Sequence, residues 1–216
     1  MPEVETKAGG AAVPGLKGVR WVVAVGSGKG GVGKSTVTVN LAVAAAALGL
    51  RVGMADVDVY GPSLPMMMGV SGAPVPADNE LIAPLEVHGV KLMSMGLFID
   101  DSSPVVWRGP MAMSATRQFL RGVDWGELDL LLVDLPPGTG DVVLTLAQEI
   151  PLDGALVVST PQELALEDVD RAVAMLAKVG APVLGLVRNM VGYRCPECGT
   201  FDPIFGDGDP GLAAER

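Results

Sequence analysis

Two groups of residues have the types and spacing to do chemistry. The first is Gly28-Lys29-Gly30-Gly31-Val32-Gly33-Lys34-Ser35, followed by Thr36. It fits the phosphate-loop pattern G-x-x-x-x-G-K-[ST]. Its glycines let successive backbone N–H groups turn inward around phosphate oxygens. A helix opening just after it would aim its positive end at the same anion. Lys34 can reach the outer phosphates, and the Ser35 hydroxyl can ligate Mg²⁺. The second group is Cys195-Pro196-Glu197-Cys198-Gly199. Two thiolates at this spacing can grip one soft metal centre. Zinc and a [4Fe–4S] cluster both want four thiolates, and one chain has two; a symmetric dimer would bring four together. Spacing does not choose between these metals. A redox dithiol is the weaker reading, because this C-x-x-C opens no evident helix after a strand.

Gly26, Gly28 and Gly31 also satisfy the dinucleotide fingerprint G-x-G-x-x-G, with Asp56 near the end of the next predicted strand. The Gly33-Lys34-Ser35 ending decides against it, since a phosphate loop demands those residues and a dinucleotide fold does not. Two further acidic stretches support phosphate chemistry. Asp56 and Asp58 follow a predicted strand, on the rim where open parallel sheets bind ligands, and can orient a water or hold Mg²⁺ through water. Asp134 ends the apolar run Leu130 to Val133 and is followed by Pro136-Pro137-Gly138-Thr139-Gly140-Asp141. A carboxylate closing a buried strand is what a second phosphate-site motif requires for Mg²⁺. Gly138 and Gly140 permit a loop that moves toward a γ-phosphate.

The elements that must position these residues alternate. Strands are predicted over residues 20–25, 51–55, 129–134, 155–159 and 183–187, with a helix over 34–48 that Gly49 ends. The pieces 81–87 and 90–95 suggest a hairpin or an extra strand. Trp107-Arg108-Gly109-Pro110 opens a predicted helix to about Arg121. Thr160-Pro161-Gln162-Glu163 reads as a capping box with proline at the first helical position. Leu166, Val169, Val173, Leu176 and Val179 then recur at helical spacing and should bury one face. Asn189, at a strand end, can read adenine through its paired donor and acceptor, or simply turn the chain. His88, the only histidine, sits in a predicted turn and reads as structural or exposed.

Composition bounds the rest. The 216 residues suffice for one α/β domain with a substantial core, and 49% are hydrophobic but only 4% aromatic. Aliphatic and methionine side chains must therefore fill the interior. No apolar run reaches the length of a membrane span, and residues 1–18 hold no secretory apolar region. Residues 1–18 read as a flexible leader and 19–216 as one phosphate-loop domain that carries the C-x-x-C metal-binding segment at 195–198. Two cysteines in one C-x-x-C argue against a disulfide scaffold, and a cytoplasmic location follows as the default. The net charge is −10, and residues 121–216, with sixteen acids and six bases, hold all of the excess. With no basic run or basic–aromatic interleaving, neither nucleic acid nor membrane is an expected partner.

Taken together, these motifs resemble the Mrp/ApbC family of nucleotide-binding iron–sulfur cluster carriers, within the MinD/ParA-like ATPases. The resemblance covers about Val13 to Gly206. Lys29 to Thr36 resembles the family's deviant Walker A, and Asp56 to Ser63 its D-x-D-x-Y-G-P-S. Trp107 to Met111, Asp134 to Asp141, Thr160 to Gln162, Asn189-Met190 and Cys195 to Cys198 have counterparts too. The resemblance implies a three-layer α/β P-loop NTPase fold around a mostly parallel central sheet. It implies a slow ATPase that carries a [4Fe–4S] cluster at a homodimer interface and passes it to apoproteins. Lys29 would reach the partner's phosphates in trans, as an arginine finger does. Lys34 would hold the β- and γ-phosphates, with Ser35 and Thr36 serving Mg²⁺ and the α-phosphate. Asp58 would position the attacking water, Asp134 would hold Mg²⁺ through water, and Asn189 would contact adenine. Cys195 and Cys198 of two chains would bridge the cluster.

Three departures accompany the resemblance. Arg188 stands where the family is expected to carry an acid. The residues before the phosphate loop read as too few for the family's frequent small N-terminal domain. Relatives continue past Gly206 with another helix, strand and helix, so the chain reads as either truncated or naturally short at its C-terminus. Two other functions fit parts of the pattern. A MinD/ParA-like positioning ATPase would want a basic amphipathic tail or patch. An electron donor like the nitrogenase iron protein would place a cluster cysteine where Val142 and Val143 stand.

Overall fold

The computed structural model describes residues 16–58, 61–76, 81–98, 119, 121–140, 143–144, 147–148, 150–161 and 163–205. Seven strands form one sheet: β1 (Val22–Gly26), β2 (Val52–Asp56), β3 (Leu85–Val87), β4 (Val90–Ser94), β5 (Leu130–Asp134), β6 (Gly154–Ser159) and β7 (Val183–Arg188). Their order is β3-β4-β2-β5-β1-β6-β7. Every pairing is parallel except β3 with β4. Continuous apolar runs such as Leu130 to Val133 form central strands because both faces are covered and neither needs polar residues. The 81–95 region is therefore a hairpin, and its second strand joins the parallel sheet beside β2.

Alternation along each strand builds two cores. On one face, Val22, Ala24, Ala55, Leu131 and Val133 pack with Trp125, Val169, Ala172 and Leu176. On the other, Val23, Val25, Met54 and Leu132 pack with Ala42, Ala45, Leu64 and Met68. The first face is covered by α3 (Glu163–Lys178), the second by α1 (Lys34–Ala47) and α2 (Leu64–Met68). This is the expected three-layer arrangement. Fully buried side chains such as Leu131, Leu132 and Met54 each contribute roughly 1.5–3 kcal/mol through removal from water.

Several boundaries follow the sequence closely. Gly49 ends α1 with φ of 89°, its N–H donated to the Ala46 carbonyl at 2.9 Å. His88 is exposed in the β3–β4 turn with φ of 50°. Within α3, Val169 and Leu176 are buried and Val173 is partly so, as is Val179 just past its end. Of the predicted leader, residues 16–18 pack on the domain: Leu16 is buried, and the Gly18 carbonyl accepts the Leu128 N–H at 2.9 Å. The Trp107 to Met111 motif and most of the helix predicted from it lie outside the described residues.

The capping box is not realised. The helix starts at Glu163, three residues after Thr160, and the buried Thr160 Oγ1 has no hydrogen-bond partner.

Candidate functional site

The C-terminal ends of β1, β2 and β5 deliver the phosphate loop, Asp56 and Asp134 to one rim of the sheet. Gly33 is the residue that precedes α1, with φ of 86°, a left-handed conformation that glycine takes without strain. It has no side chain with which to cap the helix, so the first-turn N–H groups of α1 face the loop rather than a capping oxygen. A cavity of about 240 Å³ opens over them. The loop from Lys29 to Thr36 lines it, together with Ser27, Asp58, Ser63, Met67 and Pro137. That volume is below the roughly 300–1,000 Å³ of sites that bury a whole drug-sized ligand, and suits a phosphate tail.

Asp134 is fully buried and is the hub of this rim. Its Oδ2 lies 2.6 Å from Lys34 Nζ and accepts the Ser35 hydroxyl at 2.6 Å. Its Oδ1 accepts the Thr38 hydroxyl at 2.7 Å. Thr38 was not among the residues singled out from the sequence. The signal was present: it stands one turn after Lys34, and with Ala42 and Ala45 it occupies the buried stripe of α1. A hydroxyl in such a stripe needs a partner, and the carboxylate is that partner. Ser35 and Asp134 together offer the hydroxyl and carboxylate oxygens that suit Mg²⁺. Among the described residues no group of three or more acidic, histidine or cysteine side chains converges to cage a metal, so phosphate oxygens and water would complete such a site.

The two acids after β2 have different roles in the packing. Asp56 is fully buried and accepts from Ser94 Oγ at 2.9 Å, Leu64 N–H at 3.2 Å and Asp58 N–H at 3.2 Å. Burial, and then the neighbouring Asp134, push its carboxyl up to about 6. It ties β4, α2 and the loop after β2 together. Asp58 is half-buried and lines the cavity, its Oδ1 accepting the Gly61 N–H at 3.1 Å. The structure thus brings Gly28 to Thr36, Asp58 and Asp134 to one place. Asn189 lies behind the loop: its Nδ2 donates to the Val32 carbonyl at 2.9 Å. Its Oδ1 and second amide hydrogen are what it has for a base.

The cysteines lie elsewhere, on a short antiparallel ribbon of β8 (Tyr193–Arg194) and β9 (Phe201–Asp202). Cys195 N–H donates to the Thr200 carbonyl at 2.9 Å, and the Cys195 carbonyl accepts the Gly199 N–H at 2.9 Å. Gly199 closes this turn with φ of 73°. Cys195 is partly exposed and Cys198 exposed, and neither is in a disulfide. The Thr200 hydroxyl, 3.2 Å from Cys198 Sγ, favours the thiolate, as do the Thr200 N–H and Cys195, and together they lower the Cys198 thiol to about 7. Thr200 is a second residue that sequence reasoning passed over. Both thiols thus present to solvent, and a single chain offers two of the four ligands a zinc or [4Fe–4S] centre takes.

The family model described as ParA, NUBPL iron-transfer P-loop NTPase, matches residues 18–216. The iron-sulfur cluster transfer protein NUBPL of Mus musculus is 54% identical over 201 residues, covering 92% of this chain and 63% of that protein. The iron-sulfur cluster carrier protein of Haemophilus influenzae is 50% identical over 204 residues, covering 94% of this chain and 55% of that protein. The chain therefore spans little more than half to under two thirds of these relatives. A nucleotide-binding protein from Archaeoglobus fulgidus, solved in complex with ADP, superposes with a TM-score of 0.82 at 42% identity, covering 93% of this chain and 79% of that one. The cell division ATPase MinD of Pyrococcus furiosus superposes with a TM-score of 0.63 at 22% identity, covering 90% of this chain and 78% of that one, and shares the fold. No helix among the described residues is long and apolar enough to cross a membrane.

Proposed function

Because the chain belongs to the ParA family of NUBPL iron-transfer P-loop NTPases, we propose that it is an ATP-hydrolysing carrier of [4Fe–4S] clusters. In this reading two copies assemble the cluster between their cysteine ribbons and pass it to apoproteins. The observation that carries it is the pairing, in one chain, of a complete phosphate site with half of a cluster site. The phosphate side has its loop, lysine, hydroxyl and carboxylate. The thiol side has Cys195 and Cys198 alone, presented to solvent.

The residues imply an order of events at the phosphate site. Lys34 rests on Asp134. An incoming triphosphate competes for that ammonium, while the loop N–H groups and the α1 N-terminus take the phosphate oxygens. Ser35 and Asp134 would then hold Mg²⁺, the carboxylate through water, and the ion would neutralise charge on the β- and γ-oxygens. Thr36 would contact the α-phosphate and Asn189 the adenine. Asp58, on the cavity wall, would orient the attacking water. Lys29 would bring positive charge to the partner's phosphates, so hydrolysis waits for two copies to close. The cluster is cargo: Cys195 and Cys198 of both copies share it, and an exposed, shared site can release it.

Transfer tests the proposal. The chain is reconstituted anaerobically, freed of unbound iron and mixed with an apo [4Fe–4S] acceptor. The acceptor should gain its cluster absorbance and activity, and Cys198→Ser should donate nothing. Equal donation by that variant would refute the assignment.

A further inference from the structure

Nucleotide and cargo occupy separate sites, so an influence of one on the other has to pass through the chain. The packing offers a short route. Asn189 is fixed at both ends of its own backbone and side chain: its N–H donates to the Ser159 carbonyl of β6 at 2.8 Å, and its Nδ2 donates to the Val32 carbonyl at 2.9 Å. The neighbouring loop residue Gly33 packs against the same amide. A Cβ at Gly33 would collide with Asn189 Nδ2 and lie 3.7 Å from Met190 Cε. Met190 itself has φ of 57°, one of two non-glycine residues in the left-handed region among those described. That conformation is disfavoured for a side chain of this kind and persists only where surrounding contacts hold it.

The route continues along the chain toward the thiols. Gly192 packs so closely on β9 that a Cβ there would collide with the Phe201 ring and lie 2.6 Å from the Asp202 carbonyl oxygen. The ribbon pairing then carries on to Thr200 and Cys195. From Val32 to Cys195, each link is a hydrogen bond, a close backbone packing or a step of a few residues along the chain. Val32 and Gly33 belong to the loop that must adapt to phosphate. The disfavoured backbone of Met190 is held by the contacts around it, and Gly33 of the loop is one of them. A strained residue held from one site and joined by chain to the other is a place where the two can be coupled.

We propose that Asn189 is a positioning residue that carries occupancy of the phosphate loop to the cysteine ribbon, so that nucleotide sets how Cys195 and Cys198 are presented. This deepens the carrier reading and rests on it. The coupling acts within one chain, whether or not a second copy is bound.

The test uses reduced, metal-free full chain. Alkylation of each cysteine is timed with and without saturating ADP and mapped by mass spectrometry, over a range of protein concentrations. The wild type should show a change of at least about fivefold in the Cys198 rate, the low end of typical coupling between sites, at every concentration. Asn189→Asp keeps the size of the side chain but turns an acceptor toward the Val32 carbonyl. Its ratio should fall to near one at ADP concentrations shown by a binding isotherm to saturate it. Gly192→Ala disturbs the far end of the route and should lower the ratio with ADP affinity unchanged. If Asn189→Asp cannot bind ADP, Asn189→Ala, which loses the bond to Val32 without adding a charge, is read in its place, at an ADP concentration that saturates it. A wild type without an ADP response, or variants that keep its full ratio, would overturn the proposal. Cluster transfer without any thiol response would sink the coupling and spare the carrier. A thiol response without transfer would do the reverse.

Discussion

The phosphate rim and the cysteine ribbon are built on opposite terms. At the rim, the sheet fixes every functional group: Asp134 is fully buried at a strand end and meets Lys34, Ser35 and Thr38 at once. The parts of the site are gathered before any ligand arrives, with Lys34 and Ser35 held on Asp134 until phosphate competes for them. The ribbon is two residues per strand, exposed along its length, and holds two thiols. A site can be left half-made where a second copy supplies the rest, and it must be left open where its cargo has to depart. In the proposed carrier, the buried half would act on the nucleotide and the exposed half would hand over the cluster.

That contrast can be broken experimentally, beginning with the largest effect. Cys198→Ser should abolish iron loading while leaving ADP affinity unchanged, because the thiols contribute nothing to the rim. Loss of ADP binding in the same variant would show the two regions to be one site. Lys34→Ala removes one partner of a buried ion pair and should lower unfolding stability by about 3 kcal/mol, besides removing nucleotide binding. A thermal or denaturant melt measures the first and calorimetry the second. Thr38→Val deletes a hydroxyl that donates to the buried carboxylate and should cost about 1.5–3 kcal/mol, the range for hydrogen bonds to charged groups. It should also weaken Mg²⁺ dependence, with Thr38→Ser restoring both.

The smallest effect concerns the ribbon alone. The thiolate is the reactive form, so alkylation of Cys198 should rise with pH through a midpoint of about 7. An unperturbed thiol would rise near 8.5. Thr200→Val removes the first cause of the lowered value, and its midpoint should move up toward that of a free thiol.

The rim was largely legible in the sequence because each of its parts is local. A glycine loop ending in Lys34-Ser35, and apolar runs ending in Asp56 or Asp134, say where a parallel sheet must put its ligand. The contacts that tie those parts together were not legible. Thr38 meets Asp134 across 96 positions of sequence, and Asn189 meets Val32 across 157. Spacing within a motif carries no trace of such pairings. Thr160 shows the opposite error: a local pattern that fits a cap, overridden because the helix begins later, at Glu163. The place of β4 beside β2 was likewise hidden, since strand order is set by how helices pack on the sheet and not by any one strand.

The central claim, that the chain is a complete nucleotide site joined to half of a cluster site, is tested most directly by native mass spectrometry of the anaerobically reconstituted protein. The account predicts a dimer carrying about four irons with matching sulfide, the content of one [4Fe–4S] cluster. A single chain holding an intact cluster, or a dimer that keeps its iron after both Cys195 and Cys198 are replaced by serine, would contradict it.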